Sequence, residues 1–393
     1  MDEVETKLGE KRLATTNDNM PSEIRMPPKK RMVEQDIAKG FAILLVTLMH
    51  LLILEKTAFN IAGGLFGFIM SSFFLLAGYN YKPGRTYKEN IVKRIKQILI
   101  PFAIYVCIIV IGFTLYFTLS GQVSFADAME TYGYSLLGSK FATQAGMANK
   151  FMEIYRSTMV SWFIIMLFNA SFLFYAVVDW ALKDIKNFLS VNAGLIIFTM
   201  VFGFLDFSLP LYLAEAPAIA SIMLFGAMFK KYNVFELGGL KYRIINCIVA
   251  YALYIGMALS FKGAGYIMGG KLMRDYGAWE VLITLAYSIL GTYSFLGLCK
   301  LLSYVKPLRF VFTWLGNNSM YILILHQPIA IIVREIMNYH PSGSISTSET
   351  TEYLTFAVWG ITMVIMIAYI LLLAFAKRKI RKIKDDRFAR SKA

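Results

Sequence analysis

The chain has 393 residues, of which 57% are hydrophobic and only 17% charged, with a formal net charge of +15 at pH 7 and a mean hydropathy of +0.56. So much apolar sequence excludes a soluble globular domain, and its repeated runs of about 20 apolar residues indicate transmembrane helices. The positive charge would suit nucleic acid, but its distribution along the chain assigns it to membrane orientation instead.

Residues 1–35 are charged, contain Pro21, Pro27 and Pro28, and offer few large apolar side chains, so a disordered cytoplasmic tail is expected. A short amphipathic piece around Met32–Asp36 leads into the membrane. No cleavable signal peptide is read, and the first apolar segment is long enough to act as an anchor. Ten apolar segments follow, at roughly 37–56, 61–81, 97–119, 159–181, 187–205, 209–229, 243–261, 279–304, 309–334 and 353–376. They are continuously apolar rather than alternating, which favours helices over a barrel.

The predicted fold class is therefore all-α: a polytopic transmembrane helical bundle of about ten spans with both termini cytoplasmic. Its membrane domain covers 36–376, and a basic cytoplasmic tail over 377–393 is expected to lie on the inner leaflet. In that topology 31 of the 40 Lys and Arg residues fall on the inner side and 8 on the outer, with Lys39 inside the first span. This follows the positive-inside rule. The lipid bilayer, not nucleic acid, is the partner that the charge implies.

The largest outer loop, about 120–158, mixes Ser, Gly, aromatic and charged residues and reads as a cap over an external opening. No repeat of 20–50 residues is visible, which argues against a transporter built from inverted halves. Cys107, Cys247 and Cys299 lie within apolar segments at no metal-ligand spacing; they read as small core residues, and no metal site is predicted.

Ionisable groups within apolar spans are costly and point to a site. Lys39 and His50 are eleven positions apart on the first segment. Eleven helical steps leave a net rotation of only ~20°, so both lie on one face, ~16 Å apart along the axis. Entering from the cytoplasm, Lys39 lies near the inner interface and His50 in the outer half. The plain alternatives are an interfacial anchor for Lys39 and a helix–helix hydrogen bond for His50. Of the three histidines, a second, His326, also falls in an apolar segment. Ser319 lies seven residues before it on the same face. Gly316, Asn317, Asn318 and Ser319 form a polar patch expected near mid-membrane, which either glues helices together or lines a wet cavity. Lys93, Arg94 and Lys96 precede the apolar run that contains Pro101. They suit phosphate binding as well as simple anchoring.

These residues, in this order, resemble the acyltransferase-3 superfamily of integral membrane O-acyltransferases, in particular its fucose-acetylase-like branch, over about 33–376. The Lys39-x10-His50 pair is similar to the family's first-span motif, and Phe73-Phe74-Leu-Leu-Ala77-Gly78-Tyr79 is similar to its FFxxSGY. Arg94 through Pro101, Trp162-Phe163, Phe225-Gly226 and the Gly316–Ser319–Tyr321–His326 run complete the likeness. Lys39, Gln97 and Ala77 stand where the family commonly has Arg, Arg and Ser.

The resemblance implies transfer of an acyl group, usually acetyl, from cytoplasmic acyl-CoA to a carbohydrate hydroxyl at or beyond the outer face. No bound cofactor is implied; acetyl-CoA or another acyl-CoA is the donor substrate, and a cell-surface or lipid-linked carbohydrate is the acceptor. In that scheme His50 is the general base or a covalent relay. His326, with Asn317 and Ser319, positions the acceptor or polarises the carbonyl. Lys39 orients the donor, and Arg94 and Lys96 bind its phosphates. The expected location is a plasma membrane, that of a bacterium. The competing readings are a flippase for a lipid-linked glycan, with the histidines as a proton relay, and a non-catalytic partner in polysaccharide export.

Overall fold

The computed structural model describes residues 32–52, 64–137, 158, 161–205, 209–237, 239–261, 277–338 and 349–390. The disordered tail expected for the N-terminus thus lies outside the described residues, apart from its last four positions. Much of the outer loop at 120–158 also lies outside them.

Helix α1 spans Val33–Leu52 and α2 spans Ile69–Tyr79. Helix α3, Tyr87–Arg94, passes through a π-helical turn at Ile95–Leu99 into α4, Ile100–Leu119. The start of α3 is set by a capping box in which the Thr86 hydroxyl accepts from the Glu89 amide and the Glu89 carboxylate accepts from the Thr86 amide. Next, α5 covers Phe125–Leu137, a helix within the region read as a loop. Then come α6 (Ser161–Ala181), α7 (Ile185–Phe204), α8 (Ala216–Lys231), α9 (Leu240–Ser260) and α10 (Glu280–Leu302). The last three are α11 (Lys306–Asn317), α12 (Ser319–Ile336) and α13 (Glu349–Arg390). The described residues contain no strand.

The chain is an all-α polytopic bundle. Among the described residues, eight helices are long and apolar enough to cross a membrane. The first two of the ten expected segments differ for physical reasons. Helix α1 carries Glu34, Asp36 and Lys39 in its first two turns. The apolar helix at Gly64–Tyr79 is short; its rise of about 24 Å falls below a hydrocarbon core of ~30 Å. The ninth segment is not one helix either. It breaks at Asn318 into α11 and α12, so the polar run Gly316–Ser319 is a junction between two helices. The last helix continues through 377–390, so the basic segment that follows the final span is helical.

Two close crossings hold the helices together near the end of the bundle that carries Asp36 and Lys39, so the Gly316–Ser319 run expected near mid-membrane lies instead beside the start of α1. Helix α1 packs on α11, and a Cβ on Gly40 would overlap the Phe312 carbonyl while one on Gly316 would overlap that of Asp36. Helix α2 packs on α8 in the same way: Gly78 faces the Met223 backbone and Gly226 the Leu75 carbonyl. Within lipid, where apolar burial gives little drive between helices, such backbone-to-backbone approach is how dispersion is gained. For Gly316 the choice between glue and wet cavity is thereby decided: it is a packing residue. Next to this crossing the Phe41 ring meets Phe66, Phe295 and Phe312.

Candidate active site

The chain brings its two intramembrane histidines together. His50 sits in the last turn of α1 and His326 midway along α12, and Nδ1 of His50 lies 2.7 Å from Nε2 of His326. The ring centroids are 4.9 Å apart and the planes are inclined by 23°, so the two imidazoles meet edge to edge, as a hydrogen bond between ring nitrogens requires. His326 is buried, 1% exposed, whereas His50 is half-buried.

The backbone around His326 fixes the tautomers of both rings. Nδ1 of His326 lies 2.8 Å from the Leu323 carbonyl oxygen and 3.1 Å from that of Ile322. A carbonyl oxygen only accepts, so Nδ1 of His326 carries the hydrogen. Nε2 of neutral His326 is then an acceptor, and the hydrogen between the rings belongs to Nδ1 of His50. This leaves Nε2 of His50 with a bare lone pair. The relation is that of a base held by an orienting group, the logic of a nucleophile–His–carboxylate triad with an imidazole in the carboxylate's place.

The helix bearing His50 is itself pinned one turn earlier. Thr47 is buried, donates its hydroxyl to the Leu44 carbonyl at 2.8 Å, and accepts the Trp359 indole N–H from α13 at 3.2 Å. Neither Thr47 nor Trp359 stood out in the sequence, since a threonine and a tryptophan in apolar helices carry no mark of pairing until the fold joins positions 312 residues apart.

The remaining expected site residues lie elsewhere. Lys39 is at the opposite end of α1, 3.3 Å from the Asp36 carboxylate. Arg94 ends α3, donates Nε–H to the Tyr175 hydroxyl at 3.0 Å, and lies over that ring at 5.7 Å from its centroid. Among the described residues no acceptor bonds to its two Nη groups. Lys96 is exposed on the π-helical turn. Asn317 is exposed at the end of α11 and Ser319 is half-buried at the start of α12; no hydrogen bond joins either to the histidine pair. Ser319 is about 10 Å of helix away from His326.

Arg94 also belongs to a polar group that the sequence did not announce. Tyr175 lies beside Tyr81. The Tyr81 hydroxyl donates to Asp179, and the Tyr81 carbonyl accepts from Nζ of Lys230 at 2.6 Å. Nothing in the sequence marks Tyr175 as the partner of Arg94.

A family model described as an acyltransferase domain matches residues 33–375, from the first residue of α1 to within the last apolar helix. The chain belongs to this acyltransferase-3 family. No curated protein and no solved structure matches it.

Proposed function

We propose that this chain, a multi-pass membrane acyltransferase of the acyltransferase-3 family, is an O-acyltransferase that moves an acetyl group from cytoplasmic acetyl-CoA to a hydroxyl of a cell-surface or lipid-linked carbohydrate, in the plasma membrane and with both termini cytoplasmic. The observation that carries the reading is the histidine pair. It offers one imidazole nitrogen, Nε2 of the half-buried His50, with a fixed lone pair, which is what deprotonating a hydroxyl in attack on a thioester requires.

In this mechanism Nε2 of His50 takes the hydroxyl proton as the oxygen attacks the thioester carbonyl. The positive charge on His50 is shared through Nδ1–H with Nε2 of His326, whose own hydrogen stays on the Leu323 carbonyl. The C–S bond breaks, the C–O bond of the ester remains, and the proton passes to the departing CoA thiolate. His326 thus acts as a positioning residue for His50 rather than on the acceptor. The Nη groups of Arg94 suit a donor phosphate, since a planar fork binds two oxygens at once. Lys96 and Lys39 add charge on the side from which the donor arrives; Asn317 and Ser319 adjoin Gly316, whose neighbours across the crossing are Asp36 and Gly40, so they belong to that side as well and not to the acceptor's path.

The test is transfer itself. Purified protein in proteoliposomes receives radiolabelled acetyl-CoA and candidate polysaccharide or lipid-linked acceptors. Label appearing in an alkali-labile ester on carbohydrate is the expected result. Intact acetyl-CoA and unlabelled acceptors throughout would contradict the reading.

A further inference from the structure

A second built site lies away from the histidine pair. A cavity of about 590 Å³ opens between α9 and α10, bordered by the start of α1 and by Phe66 and Phe68. Its size is within the roughly 300–1,000 Å³ of sites that take small ligands. Tyr254 of α9 meets Tyr287 of α10, while Cys247 faces Gly297, so the two helices run antiparallel. Arg243 and Lys300 consequently stand at the same end of the cleft.

The cleft is graded in polarity. Its charged lining residues, Glu34, Glu236, Arg243 and Lys300, are all at that one end. Lys300 is 3.5 Å from the Glu34 carboxylate, and Arg243 donates Nη2–H to the Glu236 main-chain carbonyl at 3.1 Å. Beyond them the walls are apolar, as at Phe68, Ile248 and Phe295. The lining on α9 runs from Leu240 to Ala252. That is a rise of about 18 Å, close to half of a ~30 Å hydrocarbon core, the depth of one leaflet. The lip of the cleft faces outward, Ile248 being 63% exposed and Leu298 43%.

We propose that this cleft is a binding site for a single glycerophospholipid of the ethanolamine type, with one acyl chain along the apolar wall and the head at the charged end. The chemistry selects it on two counts. The apolar part has the depth of one chain in one leaflet and opens sideways to lipid. The charged end presents both signs, so a zwitterionic head is matched, with phosphate on Arg243 and Lys300 and ammonium on Glu34 and Glu236. The site does not depend on acyl transfer.

The full-length protein, extracted from membranes in mild detergent, is measured by nondenaturing mass spectrometry. The wild type is expected to retain one ethanolamine phospholipid. Arg243→Glu, which reverses the charge at the head, and Ile248→Trp, which fills the chain's path, each lower retention roughly tenfold or more, the equivalent of losing one charge-assisted hydrogen bond or the burial of a few methylenes. A second measurement needs no variant. A phosphatidylethanolamine carrying a diazirine in its chain is photolysed in proteoliposomes of the wild type, and labels are expected to concentrate in 240–252 and 293–301. Glycerophosphoethanolamine, which lacks chains, does not displace the lipid. Retention of no phospholipid, equal retention by both variants, or labels spread evenly over the apolar surface overturns the proposal. So does displacement by acyl-CoA but not by added phospholipid, which would make the cleft a donor site.

Discussion

Nδ1 of His50 and Nε2 of His326 lie 2.7 Å apart although 276 positions separate them in the chain. Because the Leu323 carbonyl holds the hydrogen of His326 on its other nitrogen, His326 acts on the reaction only through His50. His326→Ala is therefore expected to lower kcat roughly a hundredfold or more. KM for acyl-CoA should stay nearly unchanged, because a positioning group for the base contributes in the transition state rather than to donor binding. His326→Gln places an amide oxygen near the lost Nε2 and should restore part of the rate. Steady-state kinetics of the three proteins checks this, and a KM effect without a kcat effect would contradict it.

Arg94 is held to Tyr175 by its Nε–H and by the ring face, which leaves the guanidinium fork aimed by an aromatic partner. Arg94→Ala is expected to raise KM for acyl-CoA roughly tenfold to a hundredfold with a smaller change in kcat, the effect of removing a charge-assisted contact to phosphate. Tyr175→Phe keeps the ring and removes the acceptor, so its effect should be smaller in the same direction. Titration with acyl-CoA and with a dephosphorylated donor analogue measures both, and the Arg94 effect should shrink with the analogue.

Gly40 and Gly316 form a crossing with no room for a Cβ on either side. Ala at either position forces backbones apart and is expected to cost about 1–3 kcal/mol, as overpacking does. The double substitution should cost less than the sum, since the helices separate only once. Thermal unfolding in detergent measures this, and it should appear as lower stability before any loss of donor binding.

Thr47 accepts the Trp359 indole N–H one turn before His50. Thr47→Val keeps the shape but leaves that part-buried N–H without its acceptor, which costs about 1 kcal/mol. A lowered unfolding midpoint, with a modest fall in kcat as α1 loosens near His50, is the expected outcome. A midpoint equal to that of the wild type would show that the bond does not brace the helix.

The helices were legible because lipid leaves the backbone few alternatives: an apolar run of about 20 residues satisfies its amides only as a helix. The two histidines were legible for a related reason, since an ionisable ring in such a run is expensive. Their contact was not, because nothing local reports which of several helices α1 will face. The break at Asn318 also escaped, as the flanking apolar sequence continues on both sides and asparagine is only a weak helix breaker. Gly316 looked like part of a polar patch, yet its missing side chain is what the crossing uses. Tyr175 was hidden by its commonness near membrane surfaces, where most tyrosines anchor rather than orient an arginine.

The most direct test of the account is the acetyl-transfer rate of His50→Ala against the wild type in proteoliposomes, with insertion and thermal stability of the two proteins compared alongside. The account predicts a properly inserted variant that still binds acetyl-CoA and transfers no measurable acetyl group. A variant that retains transfer near the wild-type rate would contradict the assignment of His50 as the base and leave the histidine pair as a packing contact between α1 and α12.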